Sequence, residues 1–217
     1  MAGAAAVQCV GPSYHLADKK AAIQASINCY PKRLEGSKWI LKGAEGTTTI
    51  VTLSDVVRAA RYVLGRWFVV AGNVLYEVET SGTTVSRGTL LTSSGYVCMS
   101  NNLTQIGIVD GVNYYVFTFG SNLFAQVAPA GWRGSDNIQE MDGYFILAEP
   151  DTDQFYISAI DDGTTLNPLD FSSADAQPDN IITHRVSHHQ LFLFGSVSTE
   201  IWVDSGQAAF PFTRYGS

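Results

Sequence analysis

The amino-acid sequence predicts an all-β, β-propeller-like fold with about four blade repeats of roughly 40 residues. Two observations carry this. Strands rich in aromatic and β-branched residues come in pairs joined by short turns, and the pairs recur at a near-constant step. The second strand of each pair begins near Asn73, Asn113, Gln154 and Thr199, at steps of 40, 41 and 45 residues. The first strands, at Phe68, Ile106, Phe145 and Leu191, step by 38, 39 and 46. One short sheet cannot bury both of its faces. Stacking such sheets around an axis buries Phe, Tyr, Val and Ile between neighbours and leaves only short edges. An irregular β-sandwich or barrel is the other architecture that would hold the same strands.

Residues 1–22 are small and polar and form an N-terminal arm; the propeller-like domain spans 23–217. In Ala22–Gly36, Ile23 and Ile27 share a helical face, but Pro31 stops any helix, so an extended or irregular entry is expected. Gly46–Ser54 (GTTTIVTLS) has the β-branched content of a strand. Trp67–Glu79 is a hairpin turning at Gly72-Asn73. Gln105–Phe119 is a second, with Asp110-Gly111 expected as a type I′ turn. Tyr144–Ile160 has a longer turn containing Pro150, and Gln190–Ser205 turns at Gly195–Thr199. Further strands are expected in TTVSRGTLL and NLFAQVAP, whereas the Pro- and Asp-containing stretch Gly163–Asn180 is expected to be mostly loop. Four repeats make a small ring, and no closing strand follows Phe210, so the chain is expected to be the N-terminal part of a larger propeller.

Net charge is -7 and the 13 basic residues are scattered, with no cluster beyond Lys19-Lys20 and Lys32-Arg33. That argues against a clamp neutralising many phosphates and leaves room for a surface past which nucleic acid slides. No run of about 18 apolar residues is present to cross a membrane as a helix. Residues 1–7 lack the basic and apolar regions of a signal peptide, so a cytoplasmic origin is the default. Cys9, Cys29 and Cys98 match no metal or redox spacing and are expected as free thiols.

The carboxylates Glu77, Glu79, Asp110, Asp142, Asp151, Asp153, Asp161, Asp162, Glu200 and Asp204 fall mostly in turns, where Asp bonds the local backbone. General acid-base work would need two of them facing one cleft. His184 and His188 would share a strand face beside His189, a metal set only if a third group approached. Pro150–Gln154 (PDTDQ) resembles a fragment of a calcium loop without its Gly and Glu. Ser196, Ser198 and Ser205 lie in no nucleophile motif. Tyr114 and Tyr115 could stack bases, but without a basic groove they suit a blade core. No catalytic, cofactor or metal site is therefore assigned. Trp132, beside Arg133, is the best platform for a sugar.

Two stretches carry a family resemblance. The first contains Ile27, Asn28, Tyr30 and Pro31, followed by WILKGAEG. The second runs from Gln177 to Trp202 and contains Pro178, Asp179, Ile181, Phe194, Gly195, Ser196, Glu200, Ile201 and Trp202. Both resemble the tail hub, or packaged DNA stabilisation, proteins of P22-like short-tailed phages. Cys29 stands where that family often has an aromatic, and Lys32 where it often has an acid. Family members are about twice as long.

The resemblance implies a non-enzymatic virion protein, assembled in the host bacterial cytoplasm, with no cofactor. It would form a hub or nozzle ring, typically a homohexamer, below the portal and adaptor. The ring would extend the DNA channel, retain packaged DNA and support the tail needle and tailspikes or tail fibres. DNA would pass without sequence-specific binding, and no membrane is involved. Tyr30 and Pro31 would pin the N-terminal segment, Pro178 and Asp179 would set the entry to the last blade, and Gly195 and Ser196 would form its hairpin turn. The alternative is a carbohydrate-binding or glycan-hydrolysing propeller.

Overall fold

A computed structural model describes residues 29–34, 39–43, 48–127 and 130–216. The chain divides into two compact units, Met1–Thr49 and Ile50–Ser217. The N-terminal arm, with Ile27 and Asn28, lies outside the described residues. In the first unit, β1 (Cys29–Arg33) pairs antiparallel with β2 (Trp39–Gly43). Pro31 thus sits inside a strand of a two-stranded sheet, which has edges on both sides where its missing N–H is harmless.

The second unit is four four-stranded antiparallel sheets, each a meander of consecutive strands. Blade one is β3 (Val57–Val63), β4 (Arg66–Ala71), β5 (Val74–Val78) and β6 (Thr84–Thr89). Blade two is β7 (Cys98–Asn101), β8 (Gln105–Val109), β9 (Tyr114–Thr118) and β10 (Leu123–Val127). Blade three is β11 (Ile138–Met141), β12 (Tyr144–Ala148), β13 (Gln154–Ala159) and β14 (Asp162–Ser173). Blade four is β15 (Ile181–Ser187), β16 (Gln190–Gly195), β17 (Thr199–Asp204) and β18 (Phe212–Arg214). The first strands β3, β7, β11 and β15 touch in sequence, so they form the inner side of the stack. The hairpins legible in the sequence are the middle two strands of each blade.

Period-2 alternation assigns each strand face to a different interface. In blade two, Ile106, Ile108, Tyr115 and Phe117 pack toward Phe68, Val70 and Leu75 of blade one. Val109, Tyr114 and Val116, one residue out of phase, pack toward Phe145, Leu147 and Tyr156 of blade three. Blade three's other face, Ile146, Phe155 and Ile157, meets Leu191, Leu193 and Trp202 of blade four. Three apolar layers therefore join four blades. Gly107 leaves the space that Ile138 and Phe145 fill: an added Cβ would lie 2.5 Å from Ile138 Cδ1.

Four sequence expectations are corrected. A closing strand does follow Phe210: β18 pairs with β17 and completes the sheet of blade four. Residues 48–53 form no strand: Ile50 is 61% exposed, and without a sheet to pair with, the β-branched run gains nothing from extension. Residues 163–173, expected as loop, belong to the 12-residue β14, whose register against β13 shifts twice and so tolerates Pro168 on an outer edge. Asp110-Gly111 is not a two-residue type I′ turn. Four residues separate β8 from β9, Gly111 alone there has positive φ, and the Asp110 carboxylate accepts from Val112 N and Asn113 N. The two-residue turns with both φ positive join the first and second strands: Leu64-Gly65, Asp142-Gly143 and His188-His189.

Candidate functional site

The Gln177–Trp202 stretch becomes one hydrogen-bonded unit in blade four. The residue before β15 is one step from Asp179, whose carboxylate reaches across to the turn between β16 and β17. Oδ2 accepts from Val197 N at 2.8 Å and Ser198 N at 3.0 Å, and Oδ1 accepts from Ser198 Oγ at 2.8 Å. These donors, the Val197 N–H first, hold the Asp179 carboxyl below the usual carboxylate range. Gly195 is required by the same contact, since a Cβ there would crowd the Asp179 carboxylate. Ser196 and Pro178 are exposed and flank this contact. The sequence placed the turn at Gly195 and Ser196 and missed its cap; a carboxylate just before a first strand is the signal, and Asp55 stands against Gly72 in blade one in the same way.

Glu200 ties the opposite side of the loop. Its buried carboxylate accepts from Ala176 N at 2.7 Å and from Trp202 Nε1 at 2.9 Å, with Arg214 at 3.9 Å. Trp202 packs edge-on to Phe155 of blade three, and half-exposed Phe194 stacks on Phe192 on the other face. The structure thus brings Asp179, Gly195, Glu200 and Trp202 together around the blade-four entry. Tyr30 lies in the separate first unit, 46% exposed, with Lys42 over its ring at 6.0 Å.

Three further carboxylates, Glu77, Asp110 and Asp162, hold structure together. Glu77 receives a bidentate grip from Arg66 at 2.6 Å and a bond from Arg87 at 2.7 Å. The Arg66 bond draws its pKa down, burial opposes, and Arg87 adds to the lowering. Arg66 also lies over the Phe68 ring and reaches Asn122 of blade two. Asp110 takes Thr92 Oγ1 and Tyr115 hydroxyl besides its own turn. Asp162 bonds Thr164 and Thr165.

The histidines separate. His184 is buried, and its Nε2 bonds the Ile146 carbonyl at 3.0 Å across the blade three–four interface. Nδ1 has no partner among the described residues, and burial lowers the pKa to about 4. His188 and His189 fill a turn, with His189 beside Asp142 at 3.1 Å. Among the described residues no group of three or more His, Cys, Asp or Glu could hold a metal ion.

Trp132 is committed to packing. Its ring stacks on Tyr114 at 5.5 Å, meets Tyr156 edge-on, and its Nε1 donates to Val112 O. Arg133 bonds Glu149, Gln154 and Pro168 O and lies 4.2 Å from the Phe171 ring centroid. The pair rivets the connection between blades two and three, which removes the platform on which the carbohydrate reading rested.

The sequence of residues 24–217 matches the model of the family described as "Bacteriophage P22 Gp10, beta-propeller". The chain belongs to this family. The match covers all four blades and both motif stretches. This P22 Gp10 family is one of phage tail proteins that stabilise packaged DNA, and its members are structural components of the virion. No curated protein matches the chain. Among solved structures it is similar to YCF48 bound to D1 peptide, at 13% identity and TM-score 0.54, over 82% of this chain and 57% of that one. It is also similar to two computationally designed proteins. Ika4 matches at 9% identity and TM-score 0.51, over 73% of this chain and 99% of that one. Ika8 matches at 11% identity and TM-score 0.51, over 83% and 57%. At these identities the likeness is one of fold. The chain spans 57% of the length of the YCF48 and Ika8 chains.

Proposed function

We propose that this chain is a building block of the hub or nozzle ring of a short-tailed phage, below the portal and adaptor. In this reading copies of the chain, six in a closed ring, extend the DNA channel, keep packaged DNA in and support the needle and tailspikes or tail fibres. Assembly takes place in the cytoplasm of the bacterial host. The role is structural and non-enzymatic. The observation that carries the reading is the family match across residues 24–217, which includes the whole four-blade stack. Two features agree with it. Closed rings need heterologous contacts, and blades one and four carry exposed aromatics, Tyr62 and Trp67 on one and Phe194 on the other. A net charge of -7 suits a conduit that passes DNA without gripping it.

The test is single-particle imaging of the purified chain with mass from light scattering. Six-fold rings with a central hole are expected, and a monomer at every concentration would overturn the ring. A phage lacking the protein should package its genome and then lose it. Stable filled heads from such a phage would overturn DNA retention.

A further inference from the structure

The first strands of all four blades enclose an axial groove of about 500 Å³, a size typical of ligand-binding clefts. Its wall carries Arg58 and Arg61 from β3, Tyr96 just before β7, Glu140 from β11 and Arg185 from β15. Three arginines thus line the groove against one acidic residue, in a chain whose net charge is -7. The groove runs against the charge of the molecule that contains it.

The three arginines differ in what they have left to give. Arg58 is fully used. Nε donates to Gly95 O, one terminal nitrogen to Gly72 O and Thr92 O, and the other to Thr92 Oγ1 and Ser94 O, all within 2.6–2.9 Å. It fastens the connection between blades one and two. Arg61 spends only Nε, on Asn101 Oδ1 at 2.8 Å. Arg185 is exposed to the groove and makes no hydrogen bond or ion pair among the described residues. Glu140, the one carboxylate, already accepts from Gly143 N at 2.9 Å and forms no ion pair with either arginine. The unmet donors of the groove are therefore the terminal nitrogens of Arg61 and the whole fork of Arg185, brought from blades one and four.

We propose that the axial groove is an anion-binding site in which Arg61 and Arg185 hold a carboxylate or phosphate group. Planar guanidinium forks match the paired oxygens of either group. A concave wall of protein focuses their field, which a convex surface would leave to solvent screening. An anion also relieves the repulsion between two cations that share one cleft. The proposal stands on the groove alone and does not depend on the tail role.

The experiment is calorimetric titration of the full chain at low ionic strength with two probes, inorganic phosphate and a short oligoglutamate peptide. Saturable binding of at least one probe is expected, weakened about tenfold by Arg185→Gln and further by the Arg61→Gln, Arg185→Gln pair. Saturation by phosphate points to a free oxyanion as ligand, and saturation by the peptide alone to a partner's carboxylates. Arg185 makes no hydrogen bond or ion pair among the described residues, so Arg185→Gln should keep the parent's melting midpoint and remains informative should Arg61→Gln unfold. No saturable binding of either probe, or unchanged binding in Arg185→Gln, overturns the site.

Discussion

Blades two and three differ from blades one and four in one respect: the middle pair is covered on both faces. Phe117, Phe145, Tyr114 and Phe155 are 0% exposed, while Trp67 and Tyr62 of blade one are 42% and 56% exposed and Phe194 of blade four is 37% exposed. The middle strands of the four blades are alike, five or six residues each with a similar share of aromatics. Burial in this architecture is thus a property of the neighbour, and a blade's sequence says what it can bury, not whether it does.

The largest expected effect tests that contrast directly. Phe145→Ala opens a cavity between two packed sheets and should cost about 3–5 kcal/mol. Trp67→Ala loses a tilted contact with Tyr62, 5.0 Å between centroids, where both rings are about half exposed, and should cost under about 1 kcal/mol. Equilibrium denaturation in urea measures both. Similar losses would mean that blade one's outer face is covered in solution.

Next comes acid. His184 is neutral in the fold, with its pKa lowered to about 4 by burial, against about 6.5 when unfolded. The unfolded chain takes up the proton first on acidification. The contribution is therefore complete above about pH 6.5 and is lost as pH falls toward 4, for a total of about 3 kcal/mol. His184→Leu should flatten the pH dependence of the urea midpoint across that window, at the cost of the Ile146 bond. An unchanged slope would put the acid sensitivity elsewhere.

Glu77→Gln should destabilise blade one by about 2–3 kcal/mol, below the cost of breaking a fully buried pair because Arg66 and Arg87 are partly solvated. The lowered Glu77 pKa means this contribution is present above the unfolded carboxylate value and fades as pH falls below it. The smallest change is Asp179→Asn. The turn should keep some of its bonds and the fold its midpoint, while limited proteolysis at residues 195–199 becomes faster. Cleavage at the parent's rate would show that the cap does not order the turn.

The amino-acid sequence by itself determined the all-β class, the recurring middle hairpins and the family motif, because these are written in local signals: β-branched and aromatic runs, Gly-centred turns and a fixed step. The inner strands escaped notice since β7 and β11 are only four residues each and hold Ser100, Asn101, Gln139 and Glu140 among few apolar groups. Only the tertiary structure decided which Asp-Gly makes the tight turn, since Asp110 and Asp142 differ in strand register rather than in local sequence. It alone decided that Trp132 is packed against Tyr114, that His184 is buried while His188 and His189 turn a corner, and that Asp179 caps a turn 19 residues further along the chain. Each of these depends on an atom supplied from another strand or blade, and pairing across such separations leaves no periodic trace in the sequence.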